Sequence, residues 1–233
     1  MSQNKASEKI CIIGLGYVGI PLAISFAKKK FIVNGFDIDK KKIDNLKNGI
    51  DPTNESKKYG IKYLKKVEFT SNPKNIKDSN IYIITVPTPV DKKNNPDLSL
   101  LKKACEIVGK CLKPKDMVIL ESTVYPKTTE DICVPILKKF SNLNYSNSDD
   151  FLNKSNYFIC GYSPERINPG DGKHNLLNIT KIVSGSNRYA MKKIKKLYSK
   201  ICNTVYLANS IEIAEAAKVI ENTQRDLNIA LIN

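Results

Sequence analysis

The chain reads as short, continuous apolar runs separated by longer segments whose apolar positions recur every three or four residues. The short runs are Ile10–Ile13, Phe31–Phe36, Val67–Thr70, Ile81–Val86, Met117–Leu120, Tyr157–Cys160, Lys181–Ser184 and Thr204–Leu207. Their length and β-branched content predict strands. The run Ile-Tyr-Ile-Ile-Thr-Val (81–86) suits a strand buried on both faces of a parallel sheet. Between the runs, Ile20–Lys30, Lys40–Asn48, Leu98–Leu112, Thr128–Phe140 and Asn187–Ile201 carry helical spacing. The threonines at 128 and 129 predict a capped start for the fourth of these helices. Ile50–Lys66 reads as a polar loop with one helical turn, Ser141–Lys154 as an exposed loop, and Ile167–Asn178 as a loop with two glycines. From Ser210 the pattern turns helical and is still apolar at Asn233. Strands alternating with helices predict an α/β fold, a doubly wound parallel sheet followed by the start of a long connecting helix. The domain reading is a flexible tail at 1–8, a sheet domain at 9–208, and the start of a central helical domain at 209–233.

The first strand runs into Gly14-Leu15-Gly16-Tyr17-Val18-Gly19, then a helix, then a second strand that ends at Asp37. This is the order and spacing of a Rossmann-like dinucleotide site. Gly14 permits the tight turn, Gly16 lets a pyrophosphate approach the backbone, and Gly19 lets the helix lie close on the strand. The helix N-terminus offers free N–H groups and a partial positive charge to the phosphates. Asp37 is placed to accept the ribose hydroxyls, and its charge opposes a 2′-phosphate, so the expected cofactor is NAD and not NADP. Open α/β sheets bind ligands at the carboxyl ends of their strands. Thr85–Pro89, Glu121–Thr123 and Ser163–Glu165 fall at those ends, beside Gly14–Gly19 and Asp37.

Composition changes this picture little. The 233 residues carry a formal charge of +15, which raises a nucleic-acid reading. All the basic residues but Arg166, Arg188 and Arg225 are lysines, clustered along amphipathic helices where a solvated face explains them. We therefore expect no nucleic-acid partner. No run approaches the roughly 20 apolar residues of a membrane span, and the polar start shows no secretory signal, so no membrane partner and a cytoplasmic location are expected. The six cysteines form no C-x-x-C pair and read as buried free thiols; His174 alone offers little to a metal, so none is expected.

Together the motifs Gly-Leu-Gly-Tyr-Val-Gly (14–19), Val-Pro-Thr-Pro (86–89), Glu-Ser-Thr-Val (121–124), Ser-Pro-Glu-Arg (163–166) and Ala-Glu-Ala-Ala-Lys-Val-Ile-Glu-Asn-Thr (214–223) resemble the UDP-glucose/GDP-mannose dehydrogenase family. The longer forms at 161–171 and 221–233 look most like its UDP-N-acetylhexosamine 6-dehydrogenases of Vi-type and O-antigen polysaccharide synthesis. The resemblance implies oxidation of a UDP-sugar C6 hydroxyl to a carboxylate with two NAD. It implies that Gly14, Gly16, Tyr17, Val18 and Gly19 cradle the pyrophosphate, with Asp37 and Lys42 on the adenosine side and Thr88, Ser122 and Thr123 lining the cofactor site. Thr123 and Glu165 would hold a water near the reacting carbon, and Glu165 would serve as base in thioester hydrolysis. Lys218 and Asn222, one helical turn apart, would stabilise the oxygen that becomes negative, and Glu165, Arg166, Lys218 and Asn222 would meet the substrate. A homodimer of the full-length protein is implied as well.

On the residues alone these roles stay open. Thr123 reads equally as a helix-cap threonine, Pro164-Glu165 as an exposed turn, and Lys218 as a lysine that spreads its stem over an apolar face. Cys160 reads as a buried thiol. The family's nucleophilic cysteine belongs to a Gly-Gly-His-Cys stretch that this chain does not contain. The expectation is therefore an N-terminal, truncated part of an NAD-dependent oxidoreductase, one that binds NAD weakly and does not complete the oxidation. The alternatives are a non-catalytic NAD- or nucleotide-sugar-binding fragment and a two-electron β-hydroxyacid dehydrogenase, the latter leaving Ser-Pro-Glu-Arg unexplained.

Overall fold

The computed structural model describes residues 8–165 and 178–233. The expected tail up to residue 7, Arg166, His174 and nearly all of the 167–178 loop lie outside these residues. Among the described residues nine strands form one sheet: β1 (Lys9–Ile13), β2 (Ile32–Phe36), β3 (Val67–Thr70), β4 (Ile81–Ile84), β5 (Met117–Leu120), β6 (Asn144–Tyr145), β7 (Tyr157–Tyr162), β8 (Thr180–Gly185) and β9 (Thr204–Leu207). Their spatial order is β3-β2-β1-β4-β5-β7-β8-β9, with β6 paired to β7. The helices are α1 (Gly19–Lys28), α2 (Lys40–Lys47), α3 (Glu55–Tyr59), α4 (Ser99–Gly109), α5 (Val134–Ser141), α6 (Arg188–Tyr198) and α7 (Ile211–Ile232).

The strands alternate their side chains between two cores. Ile10, Ile12, Ile81, Ile83, Met117, Ile119 and Ile159 pack with α1 and α6 on one face. Cys11, Ile13, Tyr82, Ile84, Val118, Leu120 and Cys160 pack with α4, α5 and the start of α7 on the other. A continuous apolar run is what a strand with two buried faces requires. All six cysteines are buried and free.

Five expectations need correction. The sheet is parallel from β3 to β7, but β8 runs antiparallel to β7, with Gly161 opposite Gly185 and Tyr162 opposite Ser184. A run buried on both faces carries no mark of strand direction. The 128–140 helix does not cap itself with its threonines. Thr128–Cys133 winds as a π-helix before α5, and the amides of Lys127 and Thr129 at its start donate to a carboxylate from α7. The 141–154 segment is not simply exposed: it holds β6 and buries Leu143, Ser146 and Phe151. Within 50–66, α3 is joined by a second, 3-10 turn at Ile61–Lys66, and the strand expected at 81–86 stops at Ile84.

Candidate active site

The strand ends expected to carry chemistry meet along one rim. At the tip of β1, Gly14 adopts φ +95°, a left-handed conformation that favours glycine. A Cβ at Gly19 would lie 1.9 Å from the Gly14 carbonyl oxygen and 2.8 Å from Thr85 Oγ1, so only glycine fits. Thr85 itself donates to the carbonyls of Ile13 (3.1 Å) and Gly14 (2.7 Å), pinning the turn to β4. Gly16 is the opposite case: a Cβ there would meet nothing within 4 Å. That open space lies beside the N-terminus of α1, which has no side-chain cap and no acidic residue in its first turn. Among the described residues the amides of Gly16 to Gly19 find no acceptor. Open space and unsatisfied donors together fit a dinucleotide pyrophosphate.

Asp37 is buried at the end of β2. Its Oδ2 accepts from Leu15 N (2.9 Å) and Lys42 Nζ (2.8 Å), and its Oδ1 accepts from Asp39 N (3.0 Å). A carboxylate has about four acceptor positions, so one remains for a ribose hydroxyl while Lys42 stays in place. A second opens when that ammonium, on a partly exposed side chain, turns away. Beside them lies a cavity of about 480 Å³ lined by Ile38, Lys42, Val86, Leu100 and Ile107, a size and an apolar lining that suit the adenosine end of a dinucleotide. The sequence reading missed Ile38, Leu100 and Ile107. Ile38 alone carried a signal, as an isoleucine directly after the ribose acid.

At the middle of the rim, Thr88 Oγ1 donates to the Thr123 carbonyl (2.6 Å) and Ser122 Oγ to the Val86 carbonyl (2.6 Å), and Tyr162 OH donates to the Ser122 carbonyl (3.2 Å). Both Thr88 and Ser122 spend their hydroxyl proton on backbone and keep only acceptor capacity toward a ligand. Thr123 is exposed and available to the site.

The far end of the rim holds a buried ionic cluster. Lys181 Nζ lies 2.7 Å from Glu121 Oε2, 3.1 Å from Glu165 Oε2 and 3.3 Å from the Pro164 carbonyl, while Tyr198 OH donates to Glu121 Oε1. Burial pushes the Glu121 carboxyl up to about 7 against the pull of Lys181, and the neighbouring Glu165 charge adds to the rise. Burial works to lower Lys181, but the two carboxylates outweigh it and the ammonium stays charged. Sequence reasoning placed Glu121 at a strand end without a role and passed over Lys181, because a lysine inside an apolar run gives no sign of what it pairs with.

Lys218 and Asn222 are half-buried on α7, which packs on β7 and β8. Their helix face is set by Glu215, one turn earlier and fully buried. Its carboxylate accepts from Lys127 N (2.6 Å), Thr129 N (2.9 Å) and Thr129 Oγ1 (2.6 Å). Burial raises the Glu215 carboxyl, and the Thr129 and Lys127 bonds oppose the rise. Arg225 donates to Asn222 Oδ1 (3.1 Å). Arg166 lies outside the described residues.

No helix among the described residues is long and apolar enough to cross a membrane, and no cluster of His, Cys, Asp and Glu suited to a metal occurs among them. Residues 8–202 match the model of the UDP-glucose/GDP-mannose dehydrogenase family, NAD binding domain. Similar proteins include the UDP-N-acetyl-D-glucosamine 6-dehydrogenases of Salmonella typhi, 52% identical over 97% of this chain and 51% of that protein, and of Pseudomonas aeruginosa, 50% identical over the same shares. The chain thus spans about half the length of the curated relatives it matches. Among solved structures, an NDP-N-acetyl-D-galactosaminuronic acid dehydrogenase from Methanosarcina mazei Go1 superposes with a TM-score of 0.84 at 33% identity, covering 98% of this chain and 49% of the other. With its glycine turn, the acid at the end of β2 and the strand order all in place, the chain belongs to the UDP-glucose/GDP-mannose dehydrogenase family and carries that family's NAD-binding domain.

Proposed function

We propose that this chain supplies the cofactor-binding part of an NAD-dependent nucleotide-sugar 6-dehydrogenase that takes a UDP-N-acetylhexosamine to its uronic acid for surface polysaccharide synthesis. Residues 9–208 are read as the NAD domain and 209–233 as the start of a helical domain. The observation that carries the reading is the single rim on which the open Gly16 cradle, the Thr88–Thr123 contact and the Glu165 carboxylate lie together. The UDP-N-acetylhexosamine assignment is supported by the two 6-dehydrogenase relatives at 50–52% identity.

NAD, when bound, supplies the hydride acceptor. The amides of Gly16 to Gly19 hold its pyrophosphate, Asp37 its ribose, and the cavity at Ile38, Leu100 and Ile107 its adenine. Thr88, Ser122 and Thr123 line the path from the cofactor to the reacting carbon. Glu165 with Thr123 orients a water there and takes its proton when the acyl stage is hydrolysed. Lys218 and Asn222 offer donors to the oxygen that gains negative charge, and Arg166 adds a cation for the substrate. The six buried thiols fit a reducing cytoplasm, and the exposed Val219, Ile220 and Leu227 on α7 fit a homodimer contact.

Calorimetry tests this reading with NAD, NADP, UDP-GlcNAc and UDP-GalNAc as titrants. NAD is expected to bind more tightly than NADP, and Asp37→Ala to abolish the preference. Lys218→Ala is expected to leave NAD binding intact and weaken UDP-sugar binding. Tighter binding of NADP, or no NAD binding at all, sinks the reading.

A further inference from the structure

Among the described residues the ion pair of Lys181 stands apart. Its ammonium is wholly buried, as is its Glu121 partner, whereas every other ion pair leaves at least one side chain a quarter or more exposed. The three ammonium donors meet three acceptors: Glu121 Oε2, Glu165 Oε2 and the Pro164 carbonyl. Such an ammonium cannot turn without breaking a bond in a dry site. The reversal of β8 creates the arrangement, since continuing the antiparallel register from Gly161–Gly185 puts Lys181 opposite Glu165. An apolar side chain of equal size would fill the same space at no cost in desolvation, so stability alone does not account for a buried ammonium shared by two carboxylates.

We propose that Lys181 is a positioning residue: it holds the Glu165 carboxylate charged and fixed at the rim, and Glu121, on the same ammonium, is the deeper carboxylate that takes up the site's spare proton. This deepens the proposed function, resting on Glu165 as the rim's base. Two carboxylates on one cation repel, so the pair carries a shared proton over part of the pH range. Glu121 is the better holder of it, being enclosed by β5 and the ring of Tyr198, which sits 5.5 Å from the ammonium. Glu165 stays slightly open to the rim. Among the described residues the other titratable groups near the cluster are Tyr162 on β7 and Cys202 after α6; burial raises both well above neutral pH, so neither exchanges protons there. Tyr198 is raised by burial and by Glu121 and stays protonated as a donor.

The test is a carboxyl-carbon NMR titration of the whole chain labelled in glutamate, with the Glu165 signal assigned by its loss in Glu165→Gln. Lys181→Met is expected to raise the Glu165 midpoint by about one to three pH units, and Lys181→Arg to restore most of that shift. Glu121→Gln, an isosteric change that keeps the fold if Lys181→Met does not, mimics the protonated Glu121 and is expected to leave the Glu165 midpoint where it stands in the unsubstituted chain. A Glu165 midpoint unmoved by Lys181→Met, not restored by Lys181→Arg, or clearly lowered by Glu121→Gln overturns the proposal. NAD calorimetry on the same samples keeps the two readings apart: loss of NAD binding in the unsubstituted chain sinks the dehydrogenase reading and leaves the titration result standing.

Discussion

The two ends of the rim handle charge in opposite ways. At the β1–β2 end the polar work is done by backbone: amides at the start of α1, a glycine that leaves open space, and one acid whose lysine partner reaches it from the surface. At the β5–β7–β8 end it is done by side chains, with an ammonium and two carboxylates held out of water. On the proposed reading the first end receives a ligand that brings its own negative charges, for which neutral donors and room suffice. On the same reading the second presents a charged group in one orientation, which a fixed, desolvated counter-charge supports. Energetically the contrast is between a half-exposed pair worth at most about 1 kcal/mol and a buried one whose disruption costs several times more.

The largest effect that would break this contrast is in Lys181→Met, which strands two buried carboxylates. A loss of about 3–5 kcal/mol in urea unfolding is expected, and a loss below about 1 kcal/mol would make the cluster no different from a surface pair. Next is a matched pair of glycine changes. Gly19→Ala drives a methyl into the Gly14 carbonyl and is expected to cost about 1–3 kcal/mol or more. Gly16→Ala meets no atom and is expected to change stability by less than about 0.5 kcal/mol, yet to weaken NAD binding at least about tenfold, or 1.4 kcal/mol, by calorimetry. Unchanged NAD affinity in Gly16→Ala would remove the cradle.

Smaller again is a pH effect. The Glu121 carboxyl, raised from 4.5 to about 7, binds more protons in the folded than in the unfolded chain across that window. The stability it contributes is full below 4.5 and is lost as pH rises through about 7. Thermal unfolding against pH should show this decline, and Glu121→Gln should flatten it. The smallest expected change is in Lys42→Met, below about 1 kcal/mol in stability. Because the ammonium offsets the Asp37 charge, its loss should sharpen the preference for NAD over NADP in competition binding. A preference that weakens instead would mean that Lys42 contributes directly to NAD binding.

What was legible in the sequence follows the same division. β3, β5 and β9 were bounded correctly: Met117–Leu120 is buried at every position, while Val67–Thr70 and Thr204–Leu207 are partly exposed but still rich in β-branched and aromatic residues. The glycine turn and Asp37 were legible because their chemistry is local: a left-handed turn, a helix start and a strand end within thirty residues. The ionic cluster was not, since Lys181 meets Glu121 across sixty residues only after β8 has reversed, and strand direction leaves no trace in a doubly buried run. Nor was the π-helical turn at Thr128–Cys133. Its amides look for an acceptor among nearby threonines in the sequence and find one in Glu215, more than eighty residues on.

That last contact has a mechanical consequence. α7 has 22 residues, about 33 Å at 1.5 Å per residue. Only Ile211, Ala214 and Glu215, near its start, are fully buried. It is held near its start, where a single carboxylate grips the turn that follows β5. A small rotation at that grip is magnified along the helix axis, so residues far from Glu215 shift more than Lys218, one turn from the pivot.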